Sequence, residues 1–144
     1  IRLGSVMEKV LQLKEKVQKK LKLYGLRPTR ARIRIGMMLL DNPTHLSAEQ
    51  IYESLVEKGH SISKATVYNT LNHFARSGLV SEVAVNPTRM YYDSTTLSHH
   101  HFYNVDTGQL TDIKREELTI ENIPKLPDNT QIEDLEIVIK IKNK

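Results

Sequence analysis

At Leu79 the hydrophobic period of this chain changes from that of helices to that of strands, and this order of elements limits the folds open to it. Upstream, apolar residues recur at helical spacing in four segments. Val10, Leu13, Val17, Leu21 and Tyr24 share one face of a first helix over Met7–Tyr24, with lysines opposite and Gly25 at its end. Thr29 is placed to cap a second helix over Arg30–Leu40, with Ile33, Met37 and Leu40 inward and Asp41-Asn42-Pro43 as the break. Ser47-Ala48-Glu49-Gln50 is a capping box that starts a third helix running to Lys58. Ile51, Leu55 and Val56 supply its core side, and Gly59 stops it. Ser63 caps a fourth helix over Lys64–Ser77, with Val67, Leu71 and Phe74 inside and Gly78 beyond its end. Leu79–Val85 and Met90–Asp93 then alternate as two strands around Asn86-Pro87-Thr88-Arg89. Helices followed by such a hairpin predict a winged helix-turn-helix, with the fourth helix shaped for a major groove and the hairpin as wing.

Beyond this unit, Ser94–Ser98 is short and polar, a hinge. His101–Asp106 and Gln109–Ile113 form a second hairpin around Thr107-Gly108. Lys114–Asn122 reads as a helical turn, and Pro124 with Pro127 forces an irregular stretch. Leu135–Ile141 closes the chain as a strand, with Ile137, Ile139 and Ile141 at alternating positions. A lone three-stranded sheet of this length cannot bury both faces, so it is expected to pair with a copy of itself. The expected class is α+β: a winged-helix DNA-binding domain over 7–93, a hinge over 94–98, and a small α/β dimerisation and metal-binding domain over 99–144. Ile1–Ser5 are set aside, with Met7 read as the native start.

Charge follows the same division. Residues 1–34 hold eleven Lys or Arg against Glu8 and Glu15, whereas the other residues hold ten basic and fifteen acidic side chains. A basic front with an acidic rear suits a nucleic-acid binder with a second domain. It equally suits a solvated amphipathic helix. No apolar run approaches the roughly 20 residues that cross a bilayer, and no secretory signal is visible, so the expected location is the cytoplasm and not a membrane. The cysteine count is zero, which removes disulfides and thiolate zinc sites, so any metal must sit on imidazole nitrogen and carboxylate oxygen.

On the fourth helix, Ala65, Tyr68, Asn69, Asn72 and Arg76 lie away from the apolar stripe. Tyr and Asn can reach phosphates and base edges, although an ordinary polar face looks the same. Arg89 on the wing and the cluster Arg27, Arg30, Arg32 and Arg34 are the stronger phosphate candidates. Further along, His99 and His101 point to one side of an extended chain and His100 to the other. A His-x-His pair is a two-tooth chelate for a divalent ion, and equally three histidines can be a solvated tract. Asp112 falls opposite through the Thr107-Gly108 turn, Asp93 lies six residues before His99, and His45 stands just ahead of the third helix, where a satisfied N-terminal histidine is the bland reading. Nitrogen and oxygen ligands without sulfur suit Fe(II), Mn(II) or Zn(II) and disfavour Cu(I).

The stretches His45-Leu-Ser-Ala-Glu-Gln-Ile-Tyr, Lys64-Ala-Thr-Val-Tyr-Asn-Thr-Leu and Ser77-Gly-Leu-Val, with the later His-x-His, resemble the ferric uptake regulator family over roughly Leu21–Ile113. The likeness is greatest to its peroxide-responsive branch, through Tyr68-Asn69 and the spacing Asp-x5-His-x-His-x10-Asp. It implies a regulatory site of three His and two Asp, here His45, Asp93, His99, His101 and Asp112; the iron-sensing branch usually has Glu at the positions of Asp93 and Asp112. It further implies DNA contacts on the helix segment that includes Lys64, Thr66, Tyr68, Asn69 and Asn72. The implied protein is a homodimeric repressor that binds an AT-rich palindrome when Fe(II) or Mn(II) is bound. Peroxide would react at the Fe(II) site, oxidise His45 or His99, and release the DNA.

The departures from the family are informative. Most members hold a structural zinc on two Cys-x-x-Cys pairs; here Asn104 and Thr107 stand at the first pair and the second is missing. No Cys-bound zinc is expected, and the second domain must hold by strand packing. A further family metal site would use Ser98, His100, Thr119 and a later His, of which only His100 is suitable, so one metal per subunit is expected. The triple His also resembles the haem-responsive iron regulators, and the iron-uptake branch is a further reading. From another class, two His and a carboxylate match the facial triad of non-haem Fe(II) oxygenases, but helices and a wing offer no barrel for a substrate pocket. A metal-free winged-helix regulator with solvated histidines is the remaining alternative.

Overall fold

The computed structural model describes residues 3–97 and 99–144. Ser98, the end of the expected hinge and a position of the second family site, and Ile1 and Arg2, at the proposed leading remnant, lie outside the described residues. The chain divides into two compact units, residues 1–96 and 97–144.

The first unit runs α1 (Leu3–Leu23), α2 (Arg30–Leu40), β1 (His45–Ser47), α3 (Ala48–Glu57), α4 (Lys64–Ser77), β2 (Ser81–Asn86) and β3 (Arg89–Asp93). Its helix starts follow the local chemistry read from the sequence. The hydroxyls of Thr29, Ser47 and Ser63 accept from the backbone N–H groups of Arg32, Gln50 and Thr66, and Gln50 returns the bond to Ser47 N–H. Gly78 ends α4 in the left-handed region at φ 82°, where a Cβ would be strained. α1 starts at Leu3 rather than Met7, because Gly4 and Ser5 do not break it, and its first turns expose Met7, Val10 and Leu11.

One continuous core joins Val17 and Leu21 of α1, Ile35 and Leu39 of α2, Ile51 and Leu55 of α3, and Val67, Leu71 and Phe74 of α4. Two expected stripes need adjustment. On α2, Leu40 is buried as expected and Ile33 and Met37 pack half-buried against the core, but the deepest side chains are Ile35 and Leu39, on either side of the buried Gly36. α2 turns this side inward because Gly36 lets it approach Val17 closely. Val56 on α3 is exposed, since it lies beyond the Ile51–Leu55 side.

The wing is a three-stranded antiparallel sheet in the order β1-β3-β2. β1 was not expected from the sequence; three residues are too few to show a period of two. Its register pairs His45 with Asp93, Leu46 with Tyr92 and Ser47 with Tyr91. Ser94 extends this pairing, donating its N–H to Thr44 O at 3.0 Å and accepting Thr44 N–H on Oγ at 3.0 Å.

The second unit holds β4 (His100–Asn104), β5 (Leu110–Ile113), a three-residue 3-10 turn at Arg115–Glu117, and β6 (Val138–Ile141), in the sheet order β5-β4-β6. β4 and β5 form the expected hairpin, and β6 lies parallel to β4. A parallel neighbour needs a long crossover, which residues 114–137 supply almost without regular structure. The last strand is shorter than expected, and Ile139 and Ile141 are exposed rather than buried by alternation. The chain is α+β, a helical winged-helix unit followed by a small sheet unit.

Candidate metal centre

The second unit gathers three of the five residues singled out as ligands. In the β4–β5 ladder His101 is opposite Asp112, which sets their side chains on the same face. His99 lies just before β4 and points to that side as well, with its ring centroid 4.4 Å from that of His101. The Nε2 atoms of His99 and His101 both lie 3.3 Å from the same Asp112 Oδ1. Each of the three residues offers a ligand atom, and these atoms lie within 4.8 Å of one another.

The hydrogen bonding fits a cation at this point. His99 Nδ1 lies 2.6 Å from Leu97 O, which can only accept, so Nδ1 carries the proton. In the neutral ring Nε2 is then a lone pair directed at a carboxylate oxygen. Two electron pairs meet there, and a proton or a metal ion must lie between them. His101 is almost fully buried while Asp112 stays about half exposed, so one side is dry and the other reachable from solvent. Glu136, which the sequence reading passed over, places Oε1 3.8 Å from His101 Nδ1. Burial pushes its carboxyl above the usual range, partly offset by the nearby histidines. A carboxylate behind a histidine is the usual means of fixing which nitrogen faces a metal.

His100 faces away from this group, as strand alternation requires. It is buried, and its Nδ1 accepts the N–H of Ile137 at 3.0 Å, tying the segment before β6 to β4.

The other two candidates belong to the first unit. Asp93 ends the central strand β3 and is 1% exposed, with His45 its partner on β1. Asp93 Oδ1 accepts the N–H of Thr95 at 2.8 Å. A carboxylate this buried is costly unless it meets donors or a cation. β1 is therefore what brings His45 to Asp93.

On α4, Lys64, Ala65, Thr66, Tyr68, Asn69 and Asn72 are all exposed on the side away from the core. Thr66 Oγ1 is engaged with the cap hydroxyl of Ser63 at 2.9 Å, and Lys64 Nζ lies 5.4 Å from the centre of the Tyr52 ring. Arg89 is exposed at the start of β3, and Arg27 and Arg30 are exposed ahead of and at the start of α2. Arg32 is committed within the fold, donating to Arg27 O and to His73 Nδ1, both at 3.0 Å. Among the described residues no helix is long and apolar enough to cross a membrane.

Residues 24–141 match the ferric uptake regulator family. The chain is 36% identical to the peroxide operon regulator of Bacillus subtilis, an alignment that covers 70% of this chain and 69% of that one. It is 34% identical to the ferric uptake regulation protein of Yersinia pestis, covering 69% of each. Among solved structures, the ferric uptake regulator from Pseudomonas aeruginosa with manganese superposes with a TM-score of 0.63 at 25% identity, covering 89% of this chain and 98% of that one. The chain thus belongs to the ferric uptake regulator family, whose members are metal-responsive transcriptional regulators rather than enzymes.

Proposed function

We propose that the chain is a cytoplasmic, homodimeric repressor whose binding to an AT-rich palindromic duplex depends on a divalent ion held by His45, Asp93, His99, His101 and Asp112. The observation that carries this reading is the convergence of the His99 and His101 Nε2 atoms on one Asp112 oxygen. The donor set of nitrogen and oxygen suits Fe(II) or Mn(II), with Zn(II) able to substitute in vitro. Because His45 and Asp93 belong to the first unit and the other three to the second, a shared ion would link metal occupancy to the placing of the DNA-reading helix. Arg27, Arg30 and Arg89 would hold phosphates, while Lys64, Thr66, Tyr68, Asn69 and Asn72 would face the groove.

Within the family we favour the peroxide-responsive branch, on the aspartates at 93 and 112. When bound, Fe(II) supplies the electrons that reduce peroxide beside the ligands. His99 presents Nε2 there with Nδ1 anchored on Leu97 O, which would hold its ring beside the ion, and it and His45 are the rings proposed to be oxidised. An oxidised imidazole binds metal less well, and DNA is released.

The experiment is a Mn(II) titration of the apo protein against a duplex selected from a random pool. Affinity should rise about 5- to 150-fold, the usual span of an allosteric coupling, and Asp112→Ala should abolish the rise while leaving the fold intact. Affinity that ignores the metal sinks the proposal. For the peroxide branch, Fe(II)-loaded protein should release DNA on peroxide treatment and gain one oxygen atom on a peptide holding His45 or His99, whereas Mn(II)-loaded protein should not. Release with both histidines unmodified would exclude this trigger.

A further inference from the structure

A carboxylate stands on the surface proposed to meet DNA, where phosphate would repel it. Glu49 lies in the first turn of α3, where the helix dipole favours an acid. The hydroxyl of Tyr68 on α4 donates to Glu49 Oε1. Ala48, Glu49, Tyr68, Thr88, Arg89 and Met90 line one groove between these helices and the wing. That hydrogen bond is the largest influence on the Glu49 carboxyl, holding it below the usual carboxylate range with help from Arg89, and it raises the Tyr68 phenol in turn. At neutral pH the pair is therefore an ionised acid and a protonated phenol.

The bookkeeping of hydrogens then limits what the pair can bind. A phenol has one hydrogen and two lone pairs, and a carboxylate has lone pairs only. With the Tyr68 hydrogen committed to Glu49, both groups present acceptors to the groove. Phosphate oxygens, thymine O4 and guanine O6 and N7 are acceptors too and gain nothing there. In the major groove only adenine N6 and cytosine N4 carry hydrogens to give.

We propose that Glu49 and Tyr68 form an acceptor-only reader that selects an exocyclic amino group, of adenine or cytosine, at the base position it faces. Glu49 also keeps Tyr68 from serving as a phosphate contact, a role left to Arg89 at the edge of the same groove. This rests on the reading that α4 enters the major groove.

The test is selection from a random duplex pool with the Mn(II)-loaded full chain, comparing wild type, Glu49→Ala, Glu49→Gln and Tyr68→Phe. Wild type should restrict one position per half-site to adenine or cytosine. Glu49→Ala should relax that position alone, by about tenfold in preference, the scale of a good base contact. Tyr68→Phe should relax the same position in part. Glu49→Gln adds donor hydrogens and should admit thymine or guanine there. Replacing the selected base by its analogue without the amino group, a purine lacking N6 or a pyrimidine lacking N4, tells which base is read. That change should weaken wild type but not Glu49→Ala.

A Glu49→Ala selection identical to wild type overturns this inference and leaves the DNA-binding reading standing. So does a loss of affinity spread evenly over all sequences, which would mark a structural or purely electrostatic role. A wild type that enriches no sequence overturns both readings. Glu49 is exposed and is not among the proposed ligands, so the Glu49 variants should keep Mn(II) affinity, with only a slight fall in thermal stability from the lost Tyr68 bond and helix-terminus charge.

Discussion

The two units hold themselves together by different means. In the first, fourteen buried residues from four helices and the wing form one cluster, from Val17 to Tyr92. In the second, the buried apolar residues among those described are Tyr103, Leu110 and Ile113, while Val105, Ile123, Leu126, Ile132, Leu135, Ile139 and Ile141 are exposed. What ties the second unit is largely polar: the strand ladders, His100 to Ile137, Asn104 to Asn143, and Asn143 N–H to Asp106. Apolar burial of about 25 cal/mol per Å² favours the first unit strongly and the second little. The clustered His and Asp side chains lie on the unit that has most to gain from a bound ion or a second copy.

The largest effect that would test this contrast is in the helical core. Phe74 is fully buried on α4 among residues of all four helices. Phe74→Ala should cost about 3–5 kcal/mol, the transfer term plus a cavity, measured by urea unfolding. A loss below about 1 kcal/mol would mean the core relaxes freely, contrary to the close packing that the contrast assumes.

The sequence showed the first unit more fully than the second for the same reason. Caps and stripes are local: Ser47, Ser63 and Gly78 set their helices, and Val67, Leu71 and Phe74 repeat often enough to fix a face. β1 was missed because its three residues acquire meaning only from pairing with β3, a contact some 48 positions away, between His45 and Asp93. The α2 stripe was right in Leu40 but left out Ile35 and Leu39, because Gly36 between them has no side chain to count as apolar. The convergence of His99, His101 and Asp112 was legible, since the Thr107-Gly108 turn fixes the β4–β5 register. Glu136 was not, because it reaches His101 through a parallel pairing across a long irregular crossover. The Glu49–Tyr68 bond was equally hidden, joining two helices whose mutual orientation comes from packing alone.

A smaller change in the first unit tests how tight the α1–α2 contact is. A Cβ at Gly36 would come within 2.7 Å of Val17 Cγ1, closer than such atoms approach. Val17 is fully buried and β-branched, so it cannot easily turn aside. Gly36→Ala gains about 1 kcal/mol in helix propensity and loses about 1–3 kcal/mol to overpacking. The expected net is a loss of about 1 kcal/mol in urea unfolding, and a variant more stable than wild type would show that α1 can shift.

The smallest effect is expected in the second unit, and its locality matters more than its size. His100 Nδ1 holds Ile137 N–H, and the adjacent His101 N–H donates to Ile137 O at 3.1 Å, so β6 enters the sheet at this point. His100→Ala removes one of the two bonds and some buried contact. A single net hydrogen bond is about 1 kcal/mol. Amide exchange over Val138–Ile141 should therefore quicken by about fivefold to tenfold, since 1.4 kcal/mol corresponds to a factor of ten. Exchange of the α4 amides should stay as in wild type, because their protection comes from the other core. If α4 loses protection together with β6, the two units unfold as one, and the division between an apolar-held and a polar-held unit is wrong.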